Sequence, residues 1–246
     1  MRYRRILLLA LLATACVGHP ADDEDDFPGP DVPVVDPSEE VFGPSLVLDF
    51  TATWCVNCPR MSSAIEEAMA LRPGSIFPVA VHFGDEFSSA EGSALSTIFG
   101  VQAYPSVVVN LDKGSLSTAT SKDIILSRID AMERKAPCTL ELSYADGTIH
   151  AEITAAEAGA YKAGAMLLED GQVAFQEGAS DNYVHDNILR KILSADIFGE
   201  DLGALEAGAS ASVEFPAGAL SGGNFHAVVY VTEGGIVNSA AAVTLP

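Results

Sequence analysis

The tetrapeptide Cys55-Val56-Asn57-Cys58 stands between an apolar run, Leu46-Val47-Leu48-Asp49-Phe50, and a stretch in which Met61, Ile65, Ala68 and Met69 recur at helical spacing. The run has the length of a buried strand, and Arg72-Pro73-Gly74 stops the helix. A cysteine pair at a strand-to-helix junction belongs to an α/β unit, and the pattern continues in kind. Ile76 to Phe83 predicts a second strand, Ser88 to Phe99 a helix ending at Gly100, and Ser106 to Val109 a β-branched third strand. Leu116 to Ser117 adds a short antiparallel segment beyond the Asp112-Lys113-Gly114 turn. Ile124, Ile125, Ile129 and Met132 then place an apolar stripe on a last helix that ends before Pro137. Strands alternating with helices imply a layered α/β fold with crossover connections.

Beyond Pro137 the pattern shifts to short alternating segments: 139–144, 148–154, 163–168, 173–176, 211–215, 225–232 and 236–244. Turns such as Asp146-Gly147, Asp170-Gly171 and Gly234-Gly235 separate them and favour antiparallel hairpins. This predicts a mostly antiparallel β-sandwich over 137–246. One helix is expected inside it, over Asn182 to Leu193, where Val184, Ile188, Leu189 and Ile192 stand at helical spacing. The chain has 246 residues, which suits two modest domains, and 48% hydrophobic residues supply a core for each.

The N-terminus has a different character. Met1-Arg2-Tyr3-Arg4-Arg5, the apolar run Ile6 to Leu12 and Ala13-Thr14-Ala15-Cys16 follow the basic, apolar, small-residue order of a secretory signal, too short to span a bilayer. Cys16 after small residues resembles the lipobox of bacterial lipoproteins, in which that cysteine is lipidated and becomes the new N-terminus. Ala13-Thr14-Ala15 equally satisfies ordinary signal cleavage, which leaves a soluble periplasmic or secreted protein. Residues 16–44 read as the lipidated cysteine and a tether, since the acidic block 22–26 and Pro28, Pro30, Pro33 and Pro37 keep such a segment extended. A cation site there lacks the glycine and terminal glutamate of a calcium loop. The net charge of −21 includes three leader arginines, so the exported part is more acidic still. That charge repels nucleic acid and anionic lipid surfaces, which leaves a lipid anchor as the expected membrane contact.

The segment from Val47 to Cys58 resembles the active-site segment of the thioredoxin family, and Gly100-Val101-Gln102-Ala103-Tyr104-Pro105-Ser106-Val107 resembles its later cis-proline segment. The resemblance covers roughly residues 45–136 and predicts a central mixed sheet flanked by helices. It implies redox chemistry carried by a disulfide between Cys55 and Cys58, with no cofactor. If Cys55 begins a helix, backbone N–H groups and the positive end of the dipole stabilise its thiolate, and it is the attacking sulfur. Cys58, three residues on, shares that face and resolves the mixed disulfide. Asp49 stands six residues before Cys55, matching the family's buried acid, and the resemblance makes it the proton acceptor for Cys58. The alternative is a strand-end acid satisfied by hydrogen bonds.

Pro105 matches the cis-proline that exposes a backbone edge to an extended substrate, with Tyr104 shaping that contact; the alternative is an ordinary trans-proline turn. Trp54 either shields the pair or packs in the core. The intervening Val56-Asn57 is neither Gly-Pro nor Pro-His, so redox direction is not read from it. Pro59 removes a backbone donor in the first turns and calls for a kink or an altered helix start. Cys138 is an odd thiol, either a third redox partner or a buried side chain. His82 is a conceivable copper(I) ligand beside the cysteines, against a structural role in its strand, and His150, His185 and His226 have no metal-binding spacing.

Residues 50–60 followed much later by the stretch from Asn182 to Arg190 resemble the bacterial 28-kilodalton outer-membrane protein family, lipoproteins in which a β-rich domain follows a thioredoxin-like one. Tyr183, His185 and Arg190 belong at the domain interface or on a binding face. The expected function is an exported thiol-disulfide oxidoreductase, periplasm-facing or on the outer membrane, acting on protein thiols and disulfides with a redox partner protein. The alternative is a binding or scaffold lipoprotein that keeps the fold without redox turnover.

Overall fold

The computed structural model describes residues 43–132 and 138–246; the expected leader, the expected lipidation at Cys16 and the acidic proline-rich stretch through residue 42 lie outside the described residues. Strand β1 (Ser45–Thr51) is buried along its whole length, as an apolar run between two helical layers must be. It pairs in parallel with β2 (Ile76–His82) and antiparallel with β3 (Ser106–Val109). Alternation along the strands divides the side chains between two faces. Val47, Val107 and Val109 meet Met61, Ile65, Ile125 and Ile129 of α1 (Cys58–Leu71) and α3 (Lys122–Asp130). Leu46, Leu48, Phe50 and Val108 face the other way, against Leu95 and Phe99 of α2 (Ala90–Phe99). The period of two sends Asp49 to the α1 side with Val47.

The helix ends follow local chemistry. Ser89 caps α2 by accepting from the Gly92 N–H, and Gly100 closes it in the left-handed region at φ 70°. The short segment beyond the Asp112 turn is present as a bridge between Ser117 and Val107. These elements form a thioredoxin-like arrangement over 45–132, the described part of the expected 45–136.

The second half contributes ten strands: β4 (Thr139–Ala145), β5 (Thr148–Thr154), β6 (Gly159–Asp170), β7 (Gln172–Ala174), β8 (Tyr183–His185), β9 (Ile188–Ile192), β10 (Glu200–Leu205), β11 (Ser210–Pro216), β12 (Asn224–Glu233) and β13 (Ile236–Leu245). Asp146 and Gly147 both take positive φ, 51° and 77°, which matches the hairpin twist between β4 and β5. Strands β4, β5 and β11 form a three-stranded antiparallel sheet, and Ile149, Ile153 and Phe215 pack it onto Tyr161, Ala165, Val229 and Val231.

The expected separate β-sandwich is not how the longest strands are used. One mixed sheet runs β13-β12-β6-β9-β2-β1-β3, with β10 also paired to β6. Strand β9 joins the two halves, parallel to β2 with Ala80 opposite Ile188 and antiparallel to β6. The helix expected over Asn182 to Leu193 is also corrected: those residues are β8 and β9, separated by Asn187 at φ 57°. Ile188 and Leu189 are both buried because β9 is covered on both faces, and two adjacent apolar residues imitate helical spacing.

Candidate active site

Strand β1 delivers the chain to the cysteines through a tight turn. The Cys55 N–H donates to the Ala52 carbonyl at 3.1 Å and the Cys58 N–H to the Cys55 carbonyl at 3.2 Å. Helix α1 begins at Cys58 and not at Cys55, which corrects the expected start. Pro59 accounts for the shift, because a residue without an N–H is tolerated in the first helical turn and not deeper. Cys55 therefore lies in the turn leading into the helix and Cys58 is its first residue. Their sulfurs are joined in a disulfide, with Cα atoms 5.4 Å apart. Both residues are nearly covered, Cys55 at 5% and Cys58 at 1% exposure, and Ala52 and Tyr104 pack around them.

The Tyr104-Pro105 peptide is cis, and it brings Tyr104 against the cysteine pair. Phe83 stacks on Tyr104 with ring centroids 5.4 Å apart, and Trp54 meets the same ring edge-on at 5.7 Å. The Trp54 indole N–H donates to the Phe83 carbonyl at 3.0 Å, which fixes the ring while half of the residue faces solvent. Trp54, Phe83 and Val56 together leave an exposed apolar shelf beside the disulfide. Clustered exposure of this kind marks a contact surface more often than it marks packing.

Asp49 lies on the other side, buried beneath α1. Its Oδ2 accepts from the Ser62 hydroxyl at 3.5 Å, and the same hydroxyl is 3.4 Å from the Cys58 carbonyl. Its Oδ1 is buried with no hydrogen-bond partner in the protein. Burial pushes the carboxyl up to about 7, against a smaller lowering by the Ser62 hydroxyl. An acid so placed takes up and releases a proton near neutral pH.

The second half supplies residues that no sequence signal pointed to. Gln176, itself buried, donates from Nε2 to the carbonyls of Ala52 at 3.2 Å and Cys55 at 3.1 Å. The Glu177 N–H donates to the Thr53 carbonyl at 2.8 Å. Gly178, at φ 80°, lies so close that a Cβ built on it collides with the Val56 carbonyl oxygen. These three residues form a strap across the cysteine turn. A glycine after Gln-Glu was the sole trace of it in the sequence, and its partner lies more than a hundred positions away.

The loop after β2 holds the turn from another side. Asp85 accepts from the Thr53 N–H at 2.8 Å, the Phe87 N–H at 3.0 Å and faces His82 Nδ1 at 2.7 Å. Burial raises the Asp85 carboxyl, but His82 and the two N–H groups outweigh it and the net displacement is downward. His82 Nδ1 is thereby held by Asp85. Among the described residues, no group of three or more His, Cys, Asp or Glu side chains is disposed to hold a metal.

Tyr183 and His185 do lie where the two halves meet. With Asp49, Ser62, His82 and Gln176 they line a cavity of about 80 Å³. Arg190 pairs with Glu169 at 2.6 Å and lies over the Phe87 ring, so it packs between elements. Cys138 is a buried thiol raised by desolvation, with its N–H donating to Ser239 Oγ at 2.7 Å.

No protein-family model matches the chain, and no curated protein matches it. Among solved structures it is similar to HBP35 of Porphyromonas gingivalis, at 20% identity and a TM-score of 0.63, over 84% of this chain and 76% of that one. It is also similar to an Agrobacterium tumefaciens protein solved by X-ray crystallography, at 15% identity and a TM-score of 0.56, over 82% of this chain and 93% of that one. Likeness at such identities shows a shared fold.

Proposed function

We propose that the protein is an exported thiol-disulfide oxidoreductase, anchored by lipid at Cys16 on a periplasm-facing or outer membrane. The observation that carries this reading is the Cys55–Cys58 disulfide set between the cis Tyr104-Pro105 peptide and the buried Asp49. In the reduced protein, the Cys55 thiolate attacks a substrate disulfide; a new S–S bond forms and one substrate thiolate leaves. Cys58 gives its proton to Asp49 and attacks Cys55 Sγ, which breaks the mixed disulfide and frees the second substrate thiolate. The substrate gains two electrons and the cysteine pair loses two. A partner dithiol returns the pair to its reduced form, and the reverse sequence oxidises substrate thiols. The shelf of Trp54, Phe83 and Val56, with Tyr104 packed behind it, is assigned to the substrate chain beside the disulfide, with Pro105 presenting a backbone edge to it.

The competing reading, a binding or scaffold lipoprotein without turnover, draws on the low exposure of both cysteines and on the strap across them. Trapping decides between the two. A Cys58→Ser variant incubated with periplasmic extract accumulates mixed disulfides at Cys55 if exchange occurs. A wild-type disulfide that resists dithiothreitol, with no trapped species in the variant, rejects the oxidoreductase.

A further inference from the structure

Under the proposed function Asp49 trades its proton with Cys58 on the sulfur side, where solvent has no direct access because Cys55, Cys58 and Ala52 are covered, so its equilibration with solvent needs another route. The opposite side differs. Asp49 Oδ1 and His185 Nε2 are both buried without a hydrogen-bond partner in the protein, and both residues line the cavity between α1, β2 and β8. Its volume of about 80 Å³ accommodates a few waters, and its walls offer them Asp49, Ser62, Tyr183 and His185 as partners. Ser62 bonds Asp49 Oδ2 and lines the same cavity as Tyr183, so polar side chains flank the space between the acid and a partly exposed tyrosine.

We propose that this cavity is the proton exit of Asp49, with Tyr183 and His185 as the side chains that pass the proton between Asp49 and solvent. The proposal rests on the reading of Asp49 as the proton acceptor for Cys58. The step moves a proton and no electrons: Asp49 Oδ–H gives its proton to water in the cavity, and an equal proton leaves from Tyr183 or His185 to solvent. The groups around the route set its polarity. Glu66 of α1 and Asp186 after β8 flank it, and His82 of β2, with Asp85 behind it, faces the His185 ring at 5.4 Å between centroids. Burial, followed by the neighbouring His82, lowers the His185 imidazole and keeps it neutral at pH 7, so that it accepts a proton and releases it without holding it. Burial raises the Tyr183 hydroxyl, assisted by Glu66, Asp49 and Asp186, which keeps it protonated and able to donate.

The experiment uses the full-length reduced protein and a small aromatic disulfide as probe. Stopped-flow mixing separates formation of the mixed disulfide at Cys55 from its closure by Cys58, in Tyr183→Phe, His185→Gln and Asp49→Asn. The route predicts an unchanged first step and unchanged equilibrium potential in Tyr183→Phe and His185→Gln, with closure slowed by about tenfold and a larger solvent deuterium isotope effect. A purely structural role moves the potential and both steps together, and that result overturns the proposal. Closure at the wild-type rate in both variants, while Asp49→Asn is slow, overturns the route and leaves the acid reading standing. Closure unaffected by Asp49→Asn removes the acid reading, and the exit falls with it.

Discussion

Gln176 Nε2 lies 3.1 Å from the backbone carbonyl of Cys55, across 121 residues of sequence. The cysteine turn of the first half is thus hydrogen-bonded by a side chain of the second, and the C-terminal half is part of the site's scaffold. Gln176→Ala leaves the carbonyls of Ala52 and Cys55 without this donor in a buried setting, which costs about 1–3 kcal/mol. Chemical denaturation of the oxidised protein measures that loss. A denaturation midpoint equal to that of wild type shows that the strap does not hold the turn.

Gly178→Ala tests the same strap through its backbone. The position has φ 80°, and the new methyl meets a carbonyl oxygen that cannot swing aside. The expected cost exceeds the ~1 kcal/mol of a Gly→Ala change at positive φ alone, because the strap must also lift. Reduced Gly178→Ala protein therefore alkylates at Cys55 faster than reduced wild type. Equal alkylation rates contradict the close approach.

Asp49 gives the molecule a pH-dependent stability of unusual sign. Its unfolded carboxyl titrates at the ordinary 3.8 and its folded one at about 7, because burial disfavours the charge. Between those values the folded state holds the extra proton, so this residue makes stability fall as pH rises, by on the order of 4 kcal/mol in all. Asp49→Asn abolishes that contribution. The difference in unfolding free energy between variant and wild type, measured in the oxidised state at pH 4 and pH 8, shifts in favour of the variant at the higher pH. A pH-independent difference rules out the raised value.

Trp54 separates binding from chemistry. Since half of the residue is already exposed, Trp54→Ala removes little buried area and lowers stability by about 1 kcal/mol. Exchange with a disulfide-bonded peptide slows by about tenfold, the loss of one aromatic contact, while exchange with glutathione disulfide is nearly unchanged. Parallel slowing of both substrates assigns Trp54 to the shape of the turn and not to a substrate shelf.

Cys138 is expected to stay inert in the native state. Its thiol is buried and raised by desolvation, and both conditions suppress thiolate formation. Iodoacetamide labels it only on unfolding, and Cys138→Ser leaves the potential of the Cys55–Cys58 pair unaltered. Native labelling at the rate of a free thiol returns it to consideration as a third redox cysteine.

The first half was legible because its signals are local. The apolar run at Leu46 to Phe50, the stop at Arg72-Pro73-Gly74, the cap at Ser89 and Gly100, and the β-branched Ser106 to Val109 each act within a few residues. The site residues Cys55, Cys58, Asp49, Trp54, Tyr104 and Pro105 were named from spacing and resemblance, and the structure gathers them around one turn. Only the helix start moved, to Cys58, since Pro59 is admitted at the first turn alone. The stretch from Asn182 to Leu193 misled for a physical reason. Ile188 and Leu189 sit in a strand buried on both faces, where alternation disappears and adjacent apolar residues mimic a helix stripe.

Local pattern by itself determined that strands and helices alternate through residue 132, that the cysteines stand at a strand-to-helix junction, and that hairpins follow. Tertiary structure alone decided which strands share a sheet, because a buried run carries no mark of its neighbour, and β9 between β2 and β6 becomes visible only once both are in place. The same holds for Gln176 and Gly178. A backbone carbonyl accepts from any suitable donor, so the distant residue that reaches Cys55 is chosen by the packing of the whole chain.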